Sequence, residues 1–421
     1  MQEYKFPEKK DWKQILTRPT ANIDEIEQKV IPILEEVKKS GDEAIRKFAL
    51  QFDNILLNDF QVSQAEIDAA EAKLTEELKS SIKIAVQNIG RFHEAQKSSP
   101  EIIETMPGVE CWRKSVGIEK VGIYIPGGTA PLFSTVLMLA IPAKIAGCKE
   151  IVLCSPSNHP AILYSAKLVG VDKIYRVGGA QAIAAMAYGT ETVPQVYKIF
   201  GPGNQFVTAA KQLVSKEGTA IDMPAGPSEV AVLADDSAKP AFVAADLLSQ
   251  AEHGVDSQVI LVSTSEKLIS DVKKEVALQL ESLPRREMAS KSLENSKAIF
   301  VSTIDDGVDL LNEYAAEHLI LCVENAEEVG ERIINAGSIF LGYYTPESCG
   351  DYASGTNHTL PTNGFAKAYS GVSVDSFVKK ITFQKISREG LKKLGPHVST
   401  MAEAESLQAH SNAVKVRLTQ D

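Results

Sequence analysis

The sequence lacks several features that would place the protein in a special class. No apolar run in its 421 residues approaches the length that spans a bilayer, and the polar start MQEYKFPEKKDWKQIL lacks the apolar stretch of a secretory signal. The five cysteines are scattered without a CxxC pair, so they predict neither a disulfide framework nor a thiolate zinc site. Basic residues are in deficit, with 44 Lys and Arg against 55 Asp and Glu. These absences predict a reducing, cytoplasmic setting and argue against membrane or nucleic-acid partners.

The remaining composition is typical of a folded protein with more than one domain. The hydrophobic content is 44% and the charged content is 24%, which are the proportions of a globular chain. The chain has more residues than one ordinary hydrophobic core can serve, so roughly two to four domains are expected. The net charge of −11 favours solubility and is compatible with a small or cationic substrate.

The first hundred residues are predicted to be helical. Apolar residues recur at helical spacing from Ile26 onward, and Gly41 is expected to end that helix as its C-cap. A second long helix is predicted to begin at Ser63, because Glu66 completes a capping box. Its apolar face is expected to continue towards Ile89.

From about Val116 the pattern changes to short β-branched runs separated by Ala-rich helical stretches. This alternation predicts parallel sheets with crossover helices, and the number of runs favours two α/β domains over one. Beyond Ser373 the chain is predicted to be polar and helical again. The runs are VGIYIP, IVLCSP, KIYRVGG, VYKIFGPG, VAVLAD, QVILVS, HLILCV and SIFLGYY.

Three Gly-rich turns follow predicted strands, at residues 124–128, 178–181 and 201–204. Turns at the carboxyl ends of parallel strands let backbone amides approach a ligand. None has the full GxGxxG spacing, so the standard dinucleotide fingerprint is absent. Each turn alone is typical of ordinary loop geometry, whereas three together favour a binding face.

Two pairs of residues could carry metal or proton chemistry. Gln250 and His253 are one helical turn apart and could offer one metal an amide oxygen and an imidazole nitrogen, although a helix C-terminus capped by Gly254 is the alternative. Glu317 and His318 could both face a cleft at a helix-to-strand junction and accept protons during alcohol oxidation. The alternative for that pair is a solvated Glu beside a packed His.

Polar residues in an irregular segment and in the tail complete the candidates. The segment 348–358 is rich in small residues, as ligand-binding loops are, and Asp351 is its natural metal ligand. His358 could equally hold this loop together. Glu405 and His410 lie near the chain end, where a functional histidine makes sense if the tail docks, for example onto a neighbouring subunit.

Longer strings carry a resemblance to a known family. The strings, in chain order, are VGIYIPGGTAP, LMLAIPAKIAG, GGAQAIAAMAYGT, KIFGPGNQFV, IDMPAGPSEV, ADLLSQAEHG, AAEHL and PESCGDYASGTNH. With them the sequence resembles the histidinol dehydrogenases over nearly its whole length, and least in the first hundred residues. Ala316 and Thr356 stand where the family commonly has proline, and neither change removes a functional side chain.

The resemblance implies an α/β fold of two incomplete Rossmann-like domains with parallel sheets, plus small terminal helical or extended elements that interlock in a homodimer. Residues 20–122 and 230–372 would form one discontinuous domain that carries most zinc and substrate residues. Residues 123–229 would form the NAD-binding domain. Residues 1–19 and 373–421 would be dimerisation elements, and the tail would reach the partner's active site.

The resemblance also implies the cofactors and the site residues. Each subunit would use one zinc ion together with NAD, and Glu317 and His318 would be catalytic. The implied zinc ligands are Gln250, His253 and Asp351, with His410 from the other subunit. The implied substrate contacts are Ser228, Gln250, His253, His318, Asp351, Glu405 and His410. The implied NAD contacts are Tyr124, Gln181 and Asn204.

The activity implied by this resemblance is the four-electron oxidation of L-histidinol to L-histidine, through bound histidinal, with reduction of two NAD⁺. These are the last steps of histidine biosynthesis. A related zinc- and NAD-dependent dehydrogenase acting on another alcohol is the alternative within the family. The other classes considered are an aldehyde dehydrogenase with a covalent cysteine, a metal hydrolase without nicotinamide, and a non-catalytic binding protein.

Overall fold

The structure is a computed structural model that describes residues 1–19, 23–53, 55–56, 58–128 and 130–419, with residue 53 described by its backbone alone. The strands within these residues are β1 (Gln2–Lys5), β2 (Ile102–Met106), β3 (Val109–Gly117), β4 (Lys120–Tyr124), β5 (Glu150–Cys154), β6 (Lys173–Tyr175), β7 (Lys198–Phe200), β8 (Ala220–Ile221), β9 (Glu229–Ala234), β10 (Gln258–Ser263), β11 (Lys297–Phe300), β12 (His318–Cys322), β13 (Ser338–Leu341) and β14 (Val378–Ile386).

The helices connect these strands, and two short 3-10 helices at Phe365–Lys367 and Val374–Phe377 add to them. They are α1 (Lys9–Ile15), α2 (Ile23–Asp53), α3 (Gln64–Glu71), α4 (Glu76–Glu94), α5 (Phe133–Ala146), α6 (Pro160–Leu168), α7 (Gly179–Tyr188), α8 (Gln205–Lys216), α9 (Pro240–Ala251), α10 (Glu266–Leu280), α11 (Arg286–Glu294), α12 (Ile304–Tyr314), α13 (Ala326–Gly330), α14 (Glu347–Tyr352), α15 (Arg388–Ala404) and α16 (Gln408–Thr419). No helix among the described residues is long and apolar enough to cross a membrane.

The first parallel sheet has five strands in the order β6-β5-β4-β7-β8. The chain adds β5 on one side of β4 and later adds β7 on the other side, so the strand order reverses between β4 and β7. In open α/β sheets, ligands bind in the crevice beyond the carboxyl ends of the strands at such a reversal. The near-continuous burial of β4 and β5 reflects helices on both faces of this sheet.

The second parallel sheet has six strands in the order β1-β11-β10-β9-β12-β13. Its order also reverses, here between β9 and β12, and the N-terminal strand β1 extends one edge. Two parallel sheets with crossover helices confirm the predicted α/β class, and every run that the sequence indicated as a strand contains one.

The N-terminal helices pack on the five-stranded sheet rather than on the six-stranded one. Val30 and Ile45 of α2 share a buried cluster with residues of β5 and α7. Ile89 of α4 packs against α5. Trp12 of α1 instead joins the core of the six-stranded sheet. This packing does not support the predicted grouping of residues 20–122 with 230–372, because α2 and α4 bury their amphipathic faces on helices of the other sheet.

Two helix boundaries in the structure differ from those predicted from the sequence. Gly41 has a positive φ of 51° but a ψ of −126°, which is not the left-handed helical conformation of a C-cap, and the chain resumes a helix at once, so α2 is kinked rather than ended. The capping box of Ser63 and Glu66 is confirmed. The prediction of one long helix from Ser63 was wrong, because α3 ends at Glu71 and Thr75 caps the separate helix α4.

The third sheet is small and antiparallel, with the order β14-β3-β2. Its strand β14 lies in the segment beyond Ser373 that was predicted to be helical, so that prediction was wrong there and correct for α15 and α16. The strand forms because its partner β3 is distant in sequence, and Trp112 and Phe383 stack across the pair with ring centroids 5.3 Å apart.

Candidate functional site

A cleft of about 690 Å³ lies between the two parallel sheets. The carboxyl end of β7 faces it from the five-stranded sheet, and the amino ends of β9 and β12 face it from the six-stranded sheet. A larger depression of about 860 Å³ beside α3 and β6 contains none of the predicted site residues among its lining residues. Seven predicted residues line the cleft between the sheets, namely Asn204, Ser228, Gln250, His253, Glu317, His318 and Asp351.

The Glu317–His318 pair lies where α12 turns into β12, as predicted for residues that share one cleft. Ala315 ends α12 in a left-handed conformation with φ 55°, and His318 is the first residue of β12. Both side chains are buried yet line the cleft. The predicted junction therefore exists, and the alternative of a solvated Glu beside a packed His does not describe this pair.

The charges around this pair are closely coupled. Glu317 Oε2 accepts from the backbone N–H of Glu229 at 2.9 Å, and burial raises the Glu317 pKa to about 8. Burial alone would lower the pKa of His318, but the carboxylates of Glu317 and Asp351 more than offset it and raise the pKa to about 10. His318 Nε2 lies 3.1 Å from Asp351 Oδ1, and its Nδ1 lies 3.7 Å from Glu317 Oε2. His318 is thus a strongly basic imidazole held between two carboxylates.

Gln250 lies at the end of α9 with its side chain buried behind this pair. Its amide fits best with the nitrogen donating to Glu347 Oε1 at 3.1 Å and the oxygen accepting from Glu229 N at 3.0 Å. In the opposite orientation the nitrogen would donate to Glu317 Oε2 at 3.3 Å and the oxygen would face Glu347 without a donor. The buried carboxyl of Glu347, which the sequence did not single out, therefore orients the amide.

The predicted metal ligands are brought together in part. Gln250, His253 and Asp351 line the cleft, whereas the fourth predicted ligand, His410, is exposed on α16 and is not among its lining residues. Glu405, a predicted substrate contact, is exposed at the end of α15 and does not line the cleft either. Across the described residues, no three His, Cys, Asp or Glu side chains form a group that could hold a metal ion. An amide oxygen, an imidazole and a carboxylate are nevertheless donors that zinc accepts. The chain thus supplies a set that suits zinc but is one ligand short of tetrahedral.

His358 lies in the loop after α14 and binds back to Asp351, which is carried by this short helix and not, as predicted, by an irregular loop. Its Nδ1 lies 2.7 Å from the backbone oxygen of Asp351, and its Nε2 lies 2.9 Å from Thr135 Oγ1. The neighbouring Asn357, which the sequence analysis did not assign, donates to the backbone oxygen of Met138 at 2.6 Å. These bonds tie the loop to α5 of the five-stranded sheet, so the structure favours the holding role for His358.

The three Gly-rich turns all lie at the carboxyl edge of the five-stranded sheet. The Tyr124 hydroxyl accepts from Gly179 N at 3.0 Å, which links the turns after β4 and β6. Gln181 is buried in the first turns of α7. Asn204 Oδ1 caps α8 by accepting from two backbone N–H groups, each at 3.1 Å. Tyr124 and Gln181 are not among the lining residues described for the cleft, whereas Asn204 is.

A buried network behind Glu317 was missed by the sequence analysis. Arg18 pairs with the buried carboxylate of Glu229 and stacks on the Tyr314 ring, with its guanidinium carbon 3.9 Å from the ring centroid. The Tyr314 hydroxyl lies 2.9 Å from Glu229 Oε2 and 3.0 Å from Gln258 Oε1, two acceptors that share its single proton. Because the backbone N–H of Glu229 binds Glu317, this network supports the Glu317 carboxyl.

Replacing Arg18 by methionine should destabilise the fold by about 3–5 kcal/mol, since it leaves the buried Glu229 carboxylate without its cation. Urea denaturation measures the change. The double variant with Glu229→Gln removes the unpaired charge and should recover much of the loss. Equal stability of wild type and Arg18→Met would show that the pair contributes nothing.

The cysteines offer no nucleophile to the cleft. Cys148, Cys154 and Cys322 are buried, and burial raises all three pKa values, that of Cys148 to about 11 and that of Cys322 to about 12. None of the five cysteines is among the lining residues described for the cleft. The geometry therefore gives no support to the covalent-cysteine alternative.

Comparison with known proteins identifies the family. Residues 16–418 match the sequence profile of histidinol dehydrogenase. The chain is 62% identical to the histidinol dehydrogenase of Bacteroides thetaiotaomicron over 99% of both sequences, and 52% identical to that of Escherichia coli K12 over 96% of this chain and 94% of the relative. The crystal structure of the histidinol dehydrogenase from Elizabethkingia anophelis superimposes with a TM-score of 0.97 at 53% identity, over 99% of this chain and 98% of that one. The protein belongs to the histidinol dehydrogenase family.

Proposed function

We propose that the protein oxidises L-histidinol to L-histidine through bound histidinal and reduces two NAD⁺, as the last steps of histidine biosynthesis. The family is NAD-dependent, and relatives of high identity are named for this reaction. The observation that carries the proposal is the buried Glu317–His318 pair, which lines one cleft together with Gln250, His253 and Asp351. That cleft opens at the edge of the five-stranded sheet where a dinucleotide is expected to bind.

The first oxidation requires a base for the alcohol proton. His318 lies between Glu317 and Asp351 at the cleft, and the neutral form of its imidazole is a proton acceptor. We propose that His318 accepts the proton of the histidinol hydroxyl while hydride leaves the carbon that bears this hydroxyl for the first NAD⁺. The aldehyde product stays in the cleft.

The second oxidation requires water to add to the aldehyde. Glu317 is the second proton acceptor of the cleft, and we assign it the proton of the attacking water. The resulting hydrate loses hydride to the second NAD⁺ and a proton to the protein, which gives the carboxylic acid. Hydrogen bonding from Glu229 N fixes the Glu317 carboxyl during this step.

The proposed NAD contacts are Tyr124, Gln181 and Asn204, within a unit formed mainly by residues 123–229. Their support is their position at the carboxyl edge of the five-stranded sheet, close to the strand reversal beside β4. The proposed substrate contacts at the opposite wall include Ser228, which precedes β9 and lines the cleft.

The proposed metal is one zinc ion per subunit, held by Gln250, His253 and Asp351 together with His410 of the partner subunit. The three donors of this chain suit zinc and leave room for a fourth ligand. When bound, zinc would orient the imidazole and amino groups of the substrate and supply Lewis acidity.

A homodimer that shares its active sites is proposed from the C-terminal region. The helices α15 and α16 pack mainly against each other, and Met401 and Leu407 remain exposed there. The strand β14 exposes Ile381 and Phe383 on one face and Ile386 on the other. Such an apolar surface is expected to be covered by another subunit, which would also bring an exposed His410 to a cleft that lacks a fourth ligand.

Substituting His318 by asparagine should lower the rate of alcohol oxidation by about 10²–10⁴-fold, because the base for the hydroxyl proton is lost. Steady-state assays at saturating NAD⁺ measure this rate. His159→Asn is the matched control, since His159 caps α6 at 3.3 Å through a role that asparagine also performs. A wild-type rate in His318→Asn would remove His318 from the mechanism.

The proposed function is tested by the stoichiometry of nicotinamide reduction with L-histidinol. The expected result is about two NADH and one L-histidine formed per L-histidinol consumed, since two hydrides leave the same carbon. Other primary alcohols supplied at equal concentration test the alternative substrate class. No NADH with any of them would eliminate the dehydrogenase proposal and favour a hydrolase or a binding protein.

A further inference from the structure

A buried ion pair holds the turn that follows β7 at the edge of the cleft. Asp222, just after β8, accepts from Gly201 N at 2.8 Å. Lys211 on α8 donates to Gly201 O at 2.9 Å. The two side chains also form an ion pair with each other, in which Lys211 is 5% exposed and Asp222 is 1% exposed. Both polar groups of one glycine are therefore bound by the two partners of a single ion pair.

The held glycine has a conformation that other residues rarely adopt. Gly201 has φ 126°, and a Cβ atom at this position would lie 2.1 Å from the backbone oxygen of Tyr124. This close approach joins the turn after β7 to the end of β4, which are the two strands beside the strand reversal. The turn continues to Asn204, which lines the cleft and caps α8.

A contribution to the stability of the fold does not by itself explain a buried ion pair in this position. Buried ion pairs add little to stability compared with apolar side chains of similar volume, because desolvation offsets their attraction. This pair instead binds one turn at a cofactor edge, and both residues line the cleft. The pair also leaves the turn without net charge, whereas an unpaired Asp222 would repel the phosphates of a dinucleotide.

We infer that Lys211 and Asp222 are positioning residues for NAD, which fix the Gly201 turn and cancel each other's charge beneath the phosphates. The inference rests on the proposed function in one respect, namely that NAD binds at the carboxyl edge of the five-stranded sheet. It assigns neither residue a role in hydride or proton transfer. Loss of the pair should therefore weaken NAD binding and leave the chemical steps intact.

The test compares Lys211→Met, Asp222→Asn and the double variant in the full-length protein. NADH fluorescence gives the dissociation constant, and steady-state kinetics give KM for NAD⁺ and kcat. Lys211→Met should weaken NADH binding by about tenfold, because it loosens the turn and exposes a negative charge to the phosphates. At saturating NAD⁺ its kcat should stay within about twofold of wild type, since no catalytic group has changed.

The double variant distinguishes charge pairing from simple loss of a buried lysine. It removes both charges, so it should bind NADH more tightly than Lys211→Met. Lys198→Met is the matched control, because Lys198 binds a backbone oxygen, that of Ser376, at 2.8 Å from the opposite end of β7. This control should bind NADH as wild type does. If Lys211→Met does not fold, the double variant carries the test, because it loosens the turn without leaving either charge unpaired, and its KM for NAD⁺ should still rise above that of wild type.

The possible results separate this inference from the proposed function. Wild-type protein that binds NADH, together with an equal affinity in folded Lys211→Met and Asp222→Asn, would overturn the positioning role alone. A loss of kcat with unchanged KM for NAD⁺ would overturn it as well. A wild-type protein with no affinity for NADH would overturn the proposed function, and the positioning role would fall with it.

Discussion

Glu317→Gln protein is expected to retain most of its alcohol oxidation and to lose the aldehyde oxidation by about 10²–10⁴-fold, which is the usual contribution of a general base. The amide keeps the shape of the side chain and can still accept the N–H of Glu229. It cannot take a proton from water, so the hydrate that feeds the second hydride transfer should not form. Histidinol should then yield about one NADH instead of two per molecule, with histidinal accumulating.

The measurement follows NADH and histidinal after mixing enzyme, NAD⁺ and L-histidinol, and repeats the assay with histidinal supplied directly. Glu347→Gln is the matched control, because Glu347 is an equally buried carboxyl whose Oε1 accepts from Ser249 at 3.1 Å. This control should change both oxidations by the same factor, since Glu347 acts through Gln250. Equal losses of the two steps in Glu317→Gln would refute its assignment to water activation.

Mixed subunits should recover activity that neither parent variant has. His410→Ala and Gln250→Ala proteins are each expected to lose nearly all activity, because each removes one proposed zinc ligand. After subunit exchange, a hybrid dimer has one site that carries both substitutions and one site that carries neither. Random mixing makes half of the dimers hybrid, so about a quarter of all sites should regain wild-type activity.

Subunit exchange must be shown independently, for example by native mass spectrometry of differently labelled chains. The control mixes His410→Ala with Glu405→Ala, because both residues would come from the same subunit and every site in their hybrid would lack one of them. That mixture should stay inactive. Proven exchange without recovery in the first mixture would contradict a site shared between subunits.

The sequence predicted the two parallel sheets well because their strands carry local signals. Buried β-branched runs followed by Gly, Pro, Ser or Asp are visible without knowledge of the partner strands. The strand β14 has a weaker signal, since its apolar residues are mixed with lysines and it forms a strand by pairing with the distant β3. The break between α3 and α4 was also missed, although Thr75 is a good N-cap, because the apolar face continues across it.

The location of the site could be only partly predicted. The strand-reversal rule applies to the five-stranded sheet, whereas the six-stranded sheet presents its amino ends to the cleft. At its own reversal, between β9 and β12, Asp235 Oδ2 accepts from Glu324 N and Oδ1 accepts from Ser237 N, each at 3.0 Å. Nothing in the local sequence showed which of the two reversals would face the cleft.

Some of the individual site residues could be predicted from the sequence, whereas others could not. Glu317 and His318 are adjacent, and Gln250 and His253 are one helical turn apart, so sequence spacing alone suggested them. The roles of Arg18, Glu347 and Lys211 depend on contacts with residues far away in the chain, such as the pairing of Arg18 with Glu229. Spacing rules carry no information on such contacts, and these residues were found in the structure alone.

The central claim is that one cleft between the two sheets, with a zinc ion completed by a second subunit, performs both oxidations. It is tested most directly by measuring the zinc content and the NADH yield from L-histidinol before chelation, after chelation and after zinc is restored. The account predicts about one zinc per subunit, loss of both oxidations with the metal, and their joint return in proportion to the zinc bound. Metal-free protein that still forms two NADH per L-histidinol at the original rate would contradict it.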